Sequence, residues 1–173
     1  MILQRVRQVL YALRARRTDT DEQFIAVWLK PAEQTLFYAQ ALADQYHALR
    51  TAYTAERLAR QAAAVQLPLL LRCALLHDIG RVRGDLGTAG KILMVCLHAA
   101  CPSWFCRRGA VDGAPGSLQH KMYIYQHHAM LGATKLEKLG LHREAVIIAA
   151  HHQPAKEDDP LELVLLRRAD ALN

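Results

Sequence analysis

The sequence predicts an all-α protein, a helical bundle without sheet. Three observations lead there. About half of the 173 residues are hydrophobic, only 6% are aromatic, and Ala and Leu dominate the apolar set. Ala, Leu, Arg, Gln and Glu lose little freedom on entering a helix, so this balance favours helix over sheet. Apolar positions recur at three- and four-residue spacing along most of the chain, and glycine is scarce within those stretches.

The elements follow in order. Near the start, Ile2, Val6, Val9, Leu10 and Leu13 approach the i, i+3, i+4 pattern of an amphipathic helix. Arg5, Arg7, Arg14, Arg16 and Arg17 interleave with them as a solvated basic face. Thr20 with Gln23 reads as a capping box opening a second helix through Trp28. Pro31 suits the first turn of a third helix, expected to reach about Asp44. From 45 to 64 the positions Leu49, Ala52, Ala55, Leu58, Ala59 and Ala62 keep helical spacing. A further helix is expected over 68–79, stopped by Gly80 as a C-terminal glycine, and another over 86–100. Residues 101–119 hold Pro102, Gly109, Gly113, Pro115 and Gly116 and read as a loop. Helices resume over 120–139 and 142–152, and Asp159 before Pro160 marks the start of a last one. A chain of this length fits one domain, 1–173, with no repeat and no separating linker.

Charge and apolar runs exclude some classes. The formal charge of +6 could suit an anionic partner, but it is concentrated in the first helix, where little aromatic character accompanies it. Nucleic acid is therefore not the expected partner. The longest apolar run, 67–76, is broken by Pro68 and Arg72 and falls short of the roughly 20 residues that span a bilayer. Four cysteines and no signal-peptide pattern lead to the expectation of reduced thiols and a cytoplasmic location.

The chemistry-bearing residues are His47, the pair His77-Asp78, then His128, His151-His152 and Asp170. Apolar helices deliver several of them: Cys73-Ala-Leu-Leu precedes His77, and Val146-Ile-Ile-Ala-Ala precedes His151. A titratable pair delivered to the rim of a core needs a metal or hydrogen bonds to offset its desolvation. Imidazole and carboxylate together suit Fe, Mn, Zn, Ni or Co. Neighbours on a helix project about 100° apart, so His77 and Asp78 can both reach one ion beside a helix end.

These residues, in this order, resemble the HD superfamily, and in particular its HDIG-bearing branch. His77-Asp78-Ile79-Gly80 stands intact. His128-Ala-Met-Leu-Gly132-Ala133 is similar to the family's His-Pro-x-x-Gly-Ala segment, with Ala129 in place of proline. His151-His152 resembles its paired histidines, and Ala169-Asp170 its closing motif. The resemblance covers 45–173; residues 1–44 would be helices preceding that core. It implies an HD-domain helical bundle in which His47, His77, Asp78 and Asp170 hold one metal. His128, His151 and His152 would hold a second, with Asp78 bridging. The activity implied is hydrolysis of a phosphate ester or anhydride, on a small phosphorylated or nucleotide-like substrate. Two adjacent divalent transition-metal ions can acidify water and screen a phosphate's charge, leaving Asp78 and Arg81 as the catalytic side chains.

The sequence departs from that family in places. The HD-GYP branch, which cleaves cyclic dinucleotides, carries a glycine-tyrosine-proline segment after the paired histidines. Here the segment reads Gln153-Pro-Ala-Lys-Glu-Asp-Asp. A third metal in some of that branch needs a carboxylate one helical turn before the first histidine, where this chain has Ala43. The residue after HDIG, commonly lysine, is Arg81, followed by Arg83; both suit phosphate binding, but arginine stays protonated and is a poor proton donor. Asp170 lies near the last residue, so its helix end is expected to fray unless a metal holds it. A non-catalytic HD-type scaffold and a diiron oxygenase on the same framework are the competing readings. Retained ligands weigh against the first and do not decide the second.

Other candidates are weaker. Cys96, Cys101 and Cys106, spaced by five with His98 among them, match zinc spacing poorly and read as ordinary thiols. Trp104 and Phe105 could belong to a lid, though a plain surface loop is the expectation. His120 and His127 lie near the second site, but the Gly132 register selects His128; His98 and His142 read as solvated or locally satisfied.

Overall fold

The computed structural model describes residues 16–62 and 64–173. Among them the chain forms helices and no strand, in the order α1 (Asp19–Trp28), α2 (Pro31–Tyr38), α3 (Leu42–Ala59), α4 (Leu67–Leu76), α5 (Thr88–Ala100), α6 (Pro102–Arg108), α7 (Leu118–Glu137), α8 (His142–Ala150) and α9 (Leu161–Ala171). The all-α expectation holds. The Arg-rich helix expected before residue 16 lies outside the described residues.

α4 explains the architecture. Seven of its ten residues, Leu69, Leu70, Leu71, Cys73, Ala74, Leu75 and Leu76, are buried. A helix apolar on nearly every side has to sit at the centre of a core, and α3, α8 and α9 pack around this one. α3 offers it a narrow stripe of Ala48, Ala52, Ala55 and Ala59, small residues that permit close approach. A second, smaller cluster of Leu86, Met94, Phe105, Met122 and Ile124 joins α5 and α6 to α7. No helix among the described residues is long and apolar enough to cross a membrane.

Several boundaries differ from the sequence expectation, each for a visible reason. α1 is capped by Thr18 with Asp21, not by Thr20 with Gln23: Asp21 accepts from the Thr18 backbone N–H at 2.8 Å. Asp19, Asp21 and Glu22 then lie in the first turn, where the helix dipole favours negative charge. The third predicted helix does not run to Asp44; it ends at Tyr38. The Gln45 side chain takes over the orphaned carbonyls, donating to Tyr38 O at 3.2 Å and Gln40 O at 2.8 Å, and Arg83 N–H donates to Ala39 O. Asp44 and Gln45 therefore lie in the first turn of α3, which starts at Leu42. Residues 101–119 are not all loop: Pro102 starts the short helix α6, and the irregular part follows Gly109. The chain end is fastened: Asn173 donates to Thr54 Oγ1 at 2.9 Å and Ala169 O at 2.8 Å, and accepts from Arg50 at 3.1 Å. Side-chain bonds back to α3 hold the helix end that was expected to fray.

Candidate metal centre

Each proposed ligand arrives at or near a helix end beside the main core. His47 lies one turn into α3, His77 caps α4, Asp78 follows it, and His151 caps α8 with His152 next to it. His128 is mid-α7 and Asp170 is in the last turn of α9. The structure brings these residues into two adjoining groups that could each hold a metal ion. One is His47, His77 and Asp78; the other is Asp78, His128, His151 and His152. Asp78 is common to both. Asp170 closes the first, with Oδ1 2.9 Å from His47 Nε2 and 3.7 Å from His77 Nε2.

One local device orients three of the rings. His77 Nδ1 lies 2.9 Å from Ala74 O, His128 Nδ1 3.0 Å from Tyr125 O, and His151 Nδ1 2.6 Å from Ile148 O. Each partner is the carbonyl three residues back. A carbonyl oxygen can only accept, so Nδ1 carries the hydrogen and Nε2 keeps its lone pair facing the site. A bond of this kind from the far ring nitrogen is how proteins set a metal-binding imidazole's tautomer.

The donor set passes a test of fit. Among the described residues, His77 Nε2, Asp78 Oδ1 and His151 Nε2 are buried without a hydrogen-bond partner. Such atoms are costly unless something meets them. The orphans, two imidazole lone pairs and one carboxylate oxygen, fall in the two groups that share Asp78 and suit transition-metal ions. The electrostatics agree. Burial pushes the Asp78 carboxyl up, but the Arg81 charge and His77 and His128 hold it well below the usual carboxylate range. Burial, then neighbouring charge, keeps His128, His151 and His152 below their ordinary value, with His152 near 4. They are neutral at neutral pH, with lone pairs available to a metal ion. His47 goes the other way: burial lowers it, yet the hydrogen bond and charge of Asp170 raise it overall.

Gly80 was read as a helix-stopping glycine. Its backbone is not in the left-handed region; the reason for glycine is proximity. A Cβ there would lie 1.9 Å from His128 O, so the turn after Asp78 rests directly on the α7 backbone. Gly132 completes the seam, its own Cβ position 3.3 Å from Gly80 N. Two glycines far apart in sequence thus set the depth at which His128 faces Asp78, with His128 Nε2 3.3 Å from Asp78 Oδ1.

Arg81 is not a surface residue. Its Nη1 donates to Asp78 Oδ2 at 2.6 Å and its Nη2 to His128 Nε2 at 2.8 Å. Arg83 is exposed, and among the described residues no contact joins its side chain to the cluster. His120 pairs with Asp112 and Asp85, His127 donates to Gly109 O, and His142 pairs with Glu137, so all three lie outside the cluster. Trp104, Arg108, Ala114, Ser117, Leu118 and Gln119 line a cleft of about 400 Å³, and none of them belongs to the His/Asp cluster.

Two participants escaped the sequence reading. Asp44 was passed over in favour of the neighbouring Ala43, yet it lies three residues before His47, is buried, and faces Arg81 Nη1 at 3.8 Å and the Lys91 ammonium. The i−3 spacing was the available signal. Arg167 donates to Ala150 O at 2.9 Å and His151 O at 3.3 Å, and pairs with Asp159, holding the end of α8 that carries the paired histidines.

An all-helical scaffold here brings histidines and carboxylates together in two adjoining groups that could hold metal ions. Residues 45–98 match the HD domain family model, which supports membership of the HD superfamily. HD domains typically bind divalent metals and are typical of metal-dependent hydrolases. No curated protein and no solved structure gave a significant match to the chain.

Proposed function

We propose that this protein is a metal-dependent phosphohydrolase that cleaves a phosphate ester or anhydride of a small, nucleotide-like molecule at a dinuclear centre. His47, His77, Asp78 and Asp170 would hold one ion; Asp78, His128, His151 and His152 would hold the other. The observation that carries this reading is that His77 Nε2, Asp78 Oδ1 and His151 Nε2 are buried without a partner in two adjoining groups that meet at Asp78. When bound, such ions acidify water and neutralise phosphate charge, and so no side-chain nucleophile is required.

The chain's own residues do the rest. Asp78 faces both groups and would bridge them. The carbonyls of Ala74, Tyr125 and Ile148 fix three imidazoles so that no ring reorients on binding. Arg81, and further out Arg83, would bind the substrate phosphate; a planar guanidinium can donate two parallel N–H bonds to two phosphate oxygens. A cytoplasmic location belongs to this reading, supported by four free cysteines. A purely scaffolding role would leave the buried lone pairs without a purpose.

The test pairs elemental analysis with phosphate release from nucleotides and simple phosphate esters, on the purified protein and on Asp78→Ala. About two transition-metal ions per chain, both lost in the variant together with hydrolysis, is the expected result. Full hydrolysis by Asp78→Ala would sink the mechanism.

A further inference from the structure

We infer that Arg81 is a tethered cation competing with the second metal ion for Asp78 and His128, and that Asp44 receives its guanidinium when that ion enters. The inference rests on the dinuclear reading above. His128 Nε2 has one lone pair, because Nδ1–H is committed to Tyr125 O. Arg81 Nη2 donates to that lone pair at 2.8 Å, with His152 Nε2 also 2.9 Å away, while Nη1 takes Asp78 Oδ2 at 2.6 Å. A lone pair serves a hydrogen or a metal, not both. The guanidinium therefore takes the one lone pair that His128 offers the second group and one oxygen of the shared Asp78, and it makes no hydrogen bond to His47 or His77 of the first.

The seat does not satisfy the guanidinium. Arg81 Nε is buried there with no hydrogen-bond partner. A second seat is adjacent: Asp44, 3% exposed, has its Oδ1 3.8 Å from Arg81 Nη1. Asp44 shares its charge with Lys91, which is 28% exposed and on a flexible stem, so the ammonium can turn to water and yield the carboxylate. A divalent ion beside Asp78 would repel a guanidinium only a few ångströms away. Entry of the ion thus drives Arg81 toward Asp44, at the edge of the site. The phosphate-binding arm is then presented only when the second ion is in place.

The experiment is a calorimetric titration of chelator-stripped protein with Mn²⁺, on the parent chain, Arg81→Gln, Asp44→Asn and the double variant, with helicity checked by circular dichroism. The second equivalent should bind about tenfold tighter or more in Arg81→Gln, since charge-assisted bonds no longer oppose it. The first equivalent should stay within about twofold. Asp44→Asn should weaken the second equivalent, and the double variant should match Arg81→Gln, because without the arm its receiver is irrelevant. Arg81→Lys, keeping the charge but unable to span both atoms, should fall between parent and Arg81→Gln. Two ions bound with parent affinity in Arg81→Gln would overturn the competition and leave the dinuclear centre standing. One ion or none in every variant would overturn both.

Discussion

The two halves of the cluster are held by different means. In the first, His47 from α3 and Asp170 from α9 meet as a partly exposed pair at 2.9 Å, and the carboxylate raises the imidazole's affinity for a proton. In the second, three histidines kept neutral by burial share one carboxylate, and backbone carbonyls and the Gly80–Gly132 seam set their positions. One half is tuned by charge, the other by how closely backbones approach. The first should therefore answer to changes of charge, and the second to changes of a single methyl group.

Gly80→Ala is the strongest way to break that contrast. The added Cβ would lie 1.9 Å from His128 O, and a backbone atom cannot turn aside as a side chain can. α7 must shift, at roughly 3 kcal/mol, or about 10 °C in melting temperature for a chain of this size. The second ion should be lost while the first is retained. An unchanged melting temperature and two ions would show that α7 has slack, and that the seam does not position His128.

Arg167→Ala should act on the second half with less damage. Its guanidinium satisfies Ala150 O and His151 O, the carbonyls at the very end of α8. Losing these bonds costs about 2 kcal/mol and frees the turn that carries His151 and His152. Affinity for the second ion should fall about tenfold, as for other residues that orient metal ligands. Arg167→Lys should recover part of it. Equal weakening of both ions would mean that Arg167 supports the fold generally, since its own helix also carries Asp170.

What could be read in the sequence was what depends on residue type and order. Apolar spacing predicted most of the helices, and His77-Asp78 with its companions predicted the cluster, which the structure assembles from five helices. The rest depended on three-dimensional partners. Nothing local distinguishes a helix that continues past Tyr38 from one whose carbonyls are taken by Gln45. Gly80 looked like a stop signal because sequence shows where a glycine lies and not what backbone rests against it. Asp44 and Ala43 are adjacent in sequence, and only the phase of α3 decides which of them faces Arg81. α6 was hidden because proline and glycine bracket a helix of seven residues as readily as they fill a loop.

The smallest effect concerns the loop that carries Arg81. His120, in the first turn of α7, lies 2.7 Å from Asp112 and 3.5 Å from Asp85, and Asp85 caps that loop by accepting from Val82 N–H at 2.9 Å. The hydrogen bond to Asp112 raises the His120 pKa above its ordinary 6.5, against a small opposing effect of burial. Asp112 is held below 3.8 by the same bond, and so remains ionised throughout the relevant range. A group whose folded pKa is raised stabilises fully below its unfolded value and loses that contribution as pH rises through the folded one. Parent protein should therefore melt above His120→Gln at pH 5 to 6, with the gap closing at higher pH. The gap should be small and shrink with salt, because the pair is near the surface. A gap that widens with pH would mean that neutral His120 does the anchoring. Because the clamp is distant in chemistry from Asp170, the first ion's affinity should be indifferent to it. Any response should appear in the second, through the placement of Arg81.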